Sequence, residues 1–324
     1  MNGQEQVLDI ARLRVEFGTR SSTVVAARDV SLAVGRGEIV AVVGESGSGK
    51  SALAMSIAGL LPDNAVVRGE WTVAGARFSA DGAMRSRPNG IGFIFQDPLG
   101  ALNPAYKLGW QITEALRVAG ASRAECRRRG IELLEQVGMT DPQRAYDLYP
   151  HEVSGGMRQR AVIAMALIGD PQLIIADEPT TALDVSVQKQ VLDLLYRLVR
   201  DRNIGLLLIT HDLAVVADVA DRVLVMYAGS VVESGTAETV LRQPGHPYTR
   251  ALLGCSLTLG SPRKTLIPEI AGTVPQLGAT LTHCPFVSRC TAAEDLCRST
   301  VPEAGDPRTR SVMCHFAKEG VAHA

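Results

Sequence analysis

The chain contains one eight-residue stretch, GESGSGKS at residues 44–51, whose residue types and spacing could bind phosphate. It fits the pattern G-x-x-x-x-G-K-[ST], it follows the apolar run EIVAVVG, and it opens the helical pattern KSALAMSIAGLL. Glycines let the backbone wrap so that N–H groups point at phosphate oxygens, and the start of a helix adds a favourable dipole. An ordinary glycine-rich turn does not need this strand–loop–helix order, so the stretch predicts a nucleoside triphosphate site.

Every residue of this phosphate loop is expected to help bind ATP: Gly44, Glu45, Ser46, Gly47, Ser48, Gly49, Lys50 and Ser51. Lys50 would reach the β- and γ-phosphates, and the Ser51 hydroxyl would bind Mg²⁺. Pro62 is expected to end the helix that follows the loop.

A pair of carboxylates follows a second apolar run, LIIADEPT, which would deliver Asp177 and Glu178 to the carboxyl edge of a parallel sheet. Asp177 is expected to hold Mg²⁺, and Glu178 to orient or deprotonate the water that attacks the γ-phosphate. A carboxylate pair after a strand is also a common helix cap or loop ion pair, so the catalytic interpretation depends on the phosphate loop.

A third motif, VSGGMRQR at residues 153–160, predicts another anion-binding helix end. Ser154 precedes Gly155 and Gly156 at the start of a helical pattern, so its hydroxyl and the adjacent N–H groups could bind an anion. Because the chain already has one phosphate loop, this motif is expected to face the nucleotide of another subunit.

Composition places these motifs in a folded chain. Of the 324 residues, 46% are hydrophobic and 21% charged, and mean hydropathy is +0.10, which is enough apolar surface to bury a core. The formal net charge of −1 provides no basic field, so no nucleic-acid partner is expected. The sequence shows no signal-peptide pattern and no run of eighteen apolar residues, so we expect a reducing, cytoplasmic location.

The periodicity predicts an α/β fold on largely parallel strands from about 30 to 235, with EIVAVVG, PQLIIAD and IGLLLIT as buried strands. Residues 97–170 have helical character and predict a helical subdomain inserted into this core. After about residue 240 the sequence becomes irregular and punctuated by proline. We therefore expect a nucleotide-binding domain over 1–240 and a small cysteine-containing C-terminal extension over 241–324.

Together the motifs resemble the ATPase cassette of ABC transporters, and the resemblance spans nearly the whole chain. It includes Gln96 in FIFQDP, Asp184 in TALD and His211 in LITHD, while Val153 stands where the family usually has leucine. It implies that Gln96 senses Mg²⁺ and the attacking water, that His211 contacts the γ-phosphate, and that Asp184 communicates across a dimer. Phe17 could stack on adenine, as the family's upstream aromatic residue does, or serve as a strand core residue.

The resemblance also implies partners. In such proteins two cassettes sandwich two ATP molecules, so a second ABC ATPase subunit, a paralogue or another copy, is expected. FIFQDPLGALNP and HPYTRALL are similar to the branch of dipeptide and oligopeptide importers. That branch implies a peripheral position on the cytoplasmic face of the membrane, two transmembrane permease subunits docked on the segment from Gln96 through the helical subdomain, and an extracytoplasmic substrate-binding protein. Nickel complexes or another small solute are the alternative cargo, and a soluble non-transport ABC ATPase is the alternative class.

Four of the six cysteines lie in the last forty-one residues: Cys284, Cys290, Cys297 and Cys314. Their spacing lacks paired C-x-x-C knuckles, and in a reducing compartment grouped cysteines predict a metal site rather than disulfides. The wide spacing and the importer resemblance favour a 4Fe-4S cluster, with zinc or unligated thiols as alternatives. Such a site would hold the extension together, or it would act as a redox or iron sensor.

Overall fold

A computed structural model describes residues 5–18, 23–82, 88–180, 184–255, 269–275 and 280–317. The chain divides into two compact units. The first unit comprises residues 1–5, 36–38 and 89–207, and the second comprises residues 6–35, 39–88 and 208–324.

The second unit contains a four-stranded antiparallel sheet in the order β2-β1-β4-β5. Its strands are β1 (Gln6–Gly18), β2 (Thr23–Gly35), β4 (Ala65–Val73) and β5 (Ala76–Gly82). In β4, buried and more exposed side chains alternate, which is the pattern of a sheet that covers a core with one face. The expectation of largely parallel strands from about 30 to 235 is wrong for β4 and β5, which lie within that range and pair antiparallel.

The second unit also contains β3 (Ile39–Val43), β9 (Arg222–Tyr227), β10 (Ser230–Thr236) and β11 (Ser311–Val312), in the order β11-β10-β9-β3. The β3–β9 pair is parallel, and the other two pairs are antiparallel. All five residues of β3 are buried, as expected for a continuous apolar run in a parallel pair. The strand predicted from EIVAVVG is therefore confirmed.

The helices of the second unit are short: α1 (Lys50–Ala58), α9 (Leu213–Val219), α10 (Ala237–Arg242), α11 (Pro247–Gly254) and α12 (Asp295–Ser299). Helix α1 ends before Pro62, because Gly59 adopts a left-handed conformation with φ 68°. The N–H groups of Gly59 and Leu60 then bond back to carbonyls of the last turn. The prediction that Pro62 ends this helix is wrong, since the glycine ends it first.

The first unit contains β6 (Ile91–Ile94) and β7 (Leu173–Asp177), which pair in parallel. Strand β8 (Gly205–Ile209) follows β7 in the sheet order, and the division between the units falls within it. Both β7 and β8 are completely buried, as the sequence predicts.

The other elements of the first unit are helices: α2 (Pro98–Ala101), α3 (Leu108–Ile112), α4 (Glu114–Val118), α5 (Arg123–Gln136), α6 (Pro142–Asp147), α7 (Gly155–Leu167) and α8 (Val185–Asp201). A single 3-10 turn at Pro150–Glu152 precedes α7. Residues 97–170 are all described, and they form helices without a strand. Within the described ranges, no helix has the length and apolar character needed to cross a membrane.

Candidate functional site

The phosphate loop of the second unit runs from the end of β3 into α1, and its path requires glycine at two positions. Gly44 has φ 152°, and a Cβ there would overlap the carbonyl oxygen of Met226. Gly49 has φ 103°, and a Cβ there would overlap the carbonyl oxygen of Ala26. No side chain fits at either position, so the tight approach of loop and neighbouring backbone explains both glycines.

Lys50, the first residue of α1, is only 5% exposed. Its Nζ donates to the carbonyl oxygens of Gly44 at 2.8 Å and Glu45 at 2.9 Å, and it lies 3.4 Å from the Ser48 hydroxyl. Ser51 follows in the first turn and is half-buried. The loop therefore holds an ammonium group and a hydroxyl at the start of a helix, which is the arrangement that binds phosphate.

Glu45 is anchored by two residues that no sequence motif assigned to the loop. Its N–H donates to the Tyr248 hydroxyl at 2.9 Å, and its carboxylate accepts hydrogen bonds from Arg289 at 2.7 and 2.9 Å. Burial raises the pKa of Tyr248, so its hydroxyl stays protonated. The loop tip at Ser46 and Gly47 is exposed. The side chain of Glu45 thus pairs with an arginine.

In the first unit, β7 ends on the carboxylate pair. Asp177 is 4% exposed, and Glu178 follows with a left-handed φ of 45°. The Gln96 side-chain amide donates to a Glu178 carboxylate oxygen at 3.0 Å. Left-handed backbone is uncommon for glutamate and is often found at functional sites. Two residues separated by 82 positions are therefore brought together as a polar pair suited to orienting a water molecule.

Ser154 caps α7: its hydroxyl accepts a hydrogen bond from the Met157 N–H at 3.3 Å. Gly155 and Gly156 form the first turn, with N–H groups that have no partner within the helix. A cavity of about 290 Å³ is lined by these residues together with Asp184 at the start of α8. The first unit therefore places Ser154, both glycines and Asp184 around one space of a size that could receive an anion.

His211 is exposed between β8 and α9 in the second unit. Phe17 lies near the end of β1, half-buried, and pairs in register with Val24 and Ala65. The structure thus places Phe17 in the antiparallel sheet, between β2 and β4.

The four C-terminal cysteines line one cavity of about 70 Å³, although up to thirty chain positions separate them. Cys284 and Cys297 are buried, Cys290 and Cys314 are half-buried, and the Cys284 N–H donates to the Cys297 carbonyl oxygen at 3.0 Å. Burial, followed by the neighbouring thiols, raises the pKa of Cys284 to about 11, and burial raises that of Cys314 as well. Among the described residues, no group of three or more His, Cys, Asp or Glu side chains could hold a metal ion.

Comparison with known proteins places these features in a family. Residues 27–181 match the family model described as ABC transporter, and residues 232–297 match the model described as oligopeptide/dipeptide transporter, C-terminal region. The second match includes Tyr248, Arg289 and three of the four clustered cysteines.

Individual relatives are similar over most of this chain. A Brucella melitensis protein with a provisional name as a peptide import ATP-binding protein is 47% identical over 315 residues, covering 92% of this chain and 93% of its own length. The dipeptide transport ATP-binding protein DppD of Escherichia coli is 43% identical, covering 96% of both chains. A solved dimeric structure of the ATP-binding cassette MJ0796 bound to ADP and Pi has a TM-score of 0.61 at 25% identity, covering 71% of this chain and 98% of that chain.

The fold prediction of an ABC-type α/β ATPase is thereby confirmed. The matched residues 27–181 include the phosphate loop, the start of α7 at Ser154 and the carboxylate pair, and the C-terminal match identifies the branch. This chain is an ATPase that belongs to the ABC transporter ATP-binding proteins carrying the oligopeptide/dipeptide transporter C-terminal region.

Proposed function

We propose that the chain is the ATP-hydrolysing subunit of a membrane importer that takes up dipeptides and oligopeptides. The observation that carries the ATPase assignment is the phosphate loop with Lys50 enclosed by its carbonyl groups. The assignment to peptide import is supported by the names of the relatives and by the matched C-terminal region. Nickel complexes or another small solute are the alternative cargo.

The residues of the phosphate loop would bind ATP and Mg²⁺. Backbone N–H groups at residues 44–51 would hold the phosphates, Lys50 would contact the β- and γ-phosphates, and Ser51 would bind Mg²⁺. Asp177 would hold the same ion through its shell of ligands. Mg²⁺, when bound, offsets negative charge that develops on the phosphate oxygens. Phe17 is retained as the candidate for stacking on adenine.

Hydrolysis would depend on Glu178, which would orient or deprotonate the attacking water. Its hydrogen bond to Gln96 supports this role, because the amide fixes the position of the carboxylate that would accept a proton from water. His211 would contact the γ-phosphate as the reaction proceeds. Glu178 would thus act on the water, Gln96 would position Glu178, and His211 would contact the phosphate.

The cavity of the first unit lined by Ser154, Gly155, Gly156 and Asp184 supports a dimer with a second ABC ATPase subunit, a paralogue or another copy. The Ser154 hydroxyl and the N–H groups of Gly155 and Gly156 would contact the γ-phosphate of ATP bound by the partner. Asp184, which lines the same cavity, would communicate between the two subunits. Closure by ATP and reopening after hydrolysis would be a population shift between two states.

Exposed apolar side chains in the first unit fit the docking of a permease subunit at the cytoplasmic membrane face. Phe95, Leu99, Tyr106 and Trp110 are each more than a third exposed. The rings of Tyr106 and Trp110 stack at 4.3 Å, so these two side chains hold each other in place. Exposed aromatic side chains are enriched where proteins bind partners. Two permease subunits and an extracytoplasmic substrate-binding protein would complete the importer.

For the cysteine cavity we infer a 4Fe-4S cluster in preference to zinc. The spacing of the cysteines lacks the paired C-x-x-C knuckles that are typical of structural zinc sites. Four thiols around a space of about 70 Å³, which is room for several waters, fit a larger group whose iron atoms each take one cysteine. Deprotonation of Cys284 would accompany binding, because its pKa lies above neutrality.

Anaerobic purification with absorption spectra and metal analysis tests this cluster. The wild-type chain should contain about four iron atoms and absorb visible light, and Cys290→Ser should lose both. Cys255→Ser, outside the cavity, is the matched control and should retain them. A colourless wild-type chain with one zinc ion would contradict the inference.

The ATPase proposal is tested by reconstituting the chain with its membrane partners in vesicles. Glu178→Gln should retain ATP binding while hydrolysis falls by roughly 10²- to 10⁴-fold and peptide uptake stops. Glu135→Gln, an exposed site on α5, is the matched control and should leave both unchanged. Unchanged turnover in Glu178→Gln would refute the assigned base, and ATP-driven uptake of nickel complexes but not peptides would select the alternative cargo.

A further inference from the structure

One contact of the phosphate loop is not explained by ATP binding. The side chain of Arg289, from the cysteine-bearing segment, is only 3% exposed, and all of its described partners lie in the second unit. Its two terminal nitrogens donate to the two carboxylate oxygens of Glu45 at 2.7 and 2.9 Å. The carbonyl oxygens of Ile270 and Ala271 accept two more of its hydrogen bonds, at 2.8 and 2.9 Å. Backbone carbonyl groups therefore fix the guanidinium, which binds the phosphate loop through the Glu45 carboxylate.

We propose that Arg289 is a positioning residue for ATP binding, acting through Glu45. It would hold the loop in the conformation that receives phosphates, and it would neutralise a carboxylate in a segment that must accept a highly charged anion. The proposal rests on ATP binding at the phosphate loop and adds the group that prepares it.

Glu45 is positioned at both its backbone and its side chain. The Tyr248 hydroxyl accepts from its N–H, while Arg289 binds its carboxylate as a fork. The carbonyl oxygen of Glu45 in turn accepts from Lys50 Nζ. A shift of Glu45 would therefore move a contact of the lysine that is expected to bind the phosphates.

The electrostatic part follows from the burial of Arg289. Salt screens an ion pair only weakly when one member is buried. Loss of the arginine would leave the Glu45 carboxylate without its counter-charge, and the carboxylate would repel phosphate at short range. Charge repulsion predicts an order of ATP affinities among variants that loss of packing alone does not predict. A variant that lacks both charges should bind ATP more tightly than a variant that lacks the arginine alone.

The same contact links the loop to the cysteine cavity. The Arg289 backbone N–H donates to the Phe286 carbonyl oxygen at 3.0 Å. Phe286 lines that cavity, and so does Cys290, the residue that follows Arg289. The segment that carries the cysteines thus also carries the side chain that holds the loop.

The test measures binding of a non-hydrolysable ATP analogue with Mg²⁺ to the full chain by titration calorimetry. Arg289→Met should raise Kd about tenfold. Adding Glu45→Gln to that variant should recover about half of the loss on a logarithmic scale, because the uncompensated charge is removed. Arg289→Lys keeps the charge but cannot bind both carboxylate oxygens as arginine does, so its Kd should lie between those of wild type and Arg289→Met. If Arg289→Met does not fold, Arg289→Lys is compared with wild type in its place.

Arg308→Met is the matched control, because Arg308 also joins the C-terminal part to an acidic residue of the same unit, Asp9 at 3.2 Å, without touching the phosphate loop. Its Kd should equal that of wild type, with nucleotide-free melting temperatures recorded for every variant. Unchanged affinity in Arg289→Met, or a double variant that binds more weakly than Arg289→Met, would overturn the proposal. An equal loss in Arg308→Met would also overturn it by showing a general effect of the C-terminal region. Lys50→Ala tests the ATP site itself, so the two failures can be told apart.

Discussion

Removal of one member of the buried ion pair between Glu233 and Arg310 should strongly destabilise the second unit. Glu233 on β10 is completely buried, and the side chain of Arg310, just before β11, is 8% exposed. Their closest atoms are 2.8 Å apart. The same carboxylate accepts the N–H groups of Gly245 at 2.7 Å and His246 at 2.9 Å. One carboxylate therefore joins β10, the start of α11 and the last described strand.

The perturbation that isolates this carboxylate is Glu233→Gln, which keeps its size. The amide has one acceptor oxygen instead of two, so at least one buried N–H loses its partner and Arg310 loses its counter-charge. Removal of one member of a buried ion pair typically costs about 3–5 kcal/mol, and unsatisfied donors account for part of that cost. We expect the free energy of unfolding to fall by about 4 kcal/mol.

Urea unfolding of the full chain, followed by circular dichroism, measures this loss through the midpoint and the slope. Glu238→Gln is the matched control: its partner Arg242 lies 3.9 Å away and both side chains are 79% exposed, so no measurable loss is expected. If Glu233→Gln lowers the free energy of unfolding by less than about 1 kcal/mol, the reasoning from burial and lost acceptors is refuted.

Burial lowers the pKa of His246 to about 4, so between pH 6.5 and 4 the unfolded chain binds a proton that the folded chain does not. Stability should fall by about 3 kcal/mol as pH falls through this window, and in His246→Asn that component of the urea-unfolding pH profile should vanish. Gly49→Ala should cost about 2 kcal/mol or more in the same urea assay, because its Cβ would overlap a carbonyl of β2, while Gly254→Ala in open space should cost nothing. Trp110→Ala should reduce co-purification with permease subunits without changing ATP hydrolysis by the isolated chain, whereas Phe316→Ala, which is similarly exposed, should leave both unchanged.

The phosphate loop was predictable because its chemistry is local. Consecutive residues from Gly44 to Ser51 supply the backbone conformations, the lysine and the hydroxyl, and the apolar run before them predicts the strand. The buried strands β3, β7 and β8 were recognised for the same reason, since each is a short apolar run. The end of α1 was misplaced because Gly59 stops the helix before the more obvious Pro62 does.

The antiparallel sheet β2-β1-β4-β5 was missed because alternation within each strand does not specify its neighbour. Pairing depends on contacts between strands that are far apart in sequence, such as Leu8 opposite Val73. Likewise, spacing grouped the four cysteines as a set, but only the fold shows that they surround a common cavity.

What the sequence determined by itself is the set of chemical groups: the phosphate loop, the carboxylate pair, Ser154 with its two glycines, and the cysteines, each recognisable from neighbouring residues. What only the tertiary structure decided is which of these groups depend on distant partners. Arg289 and Glu45 are 244 positions apart, and Gln96 and Glu178 are 82 apart. Hydrogen bonds act over about 3 Å whatever the separation along the chain, so such pairs become visible only after folding has closed the loops between them.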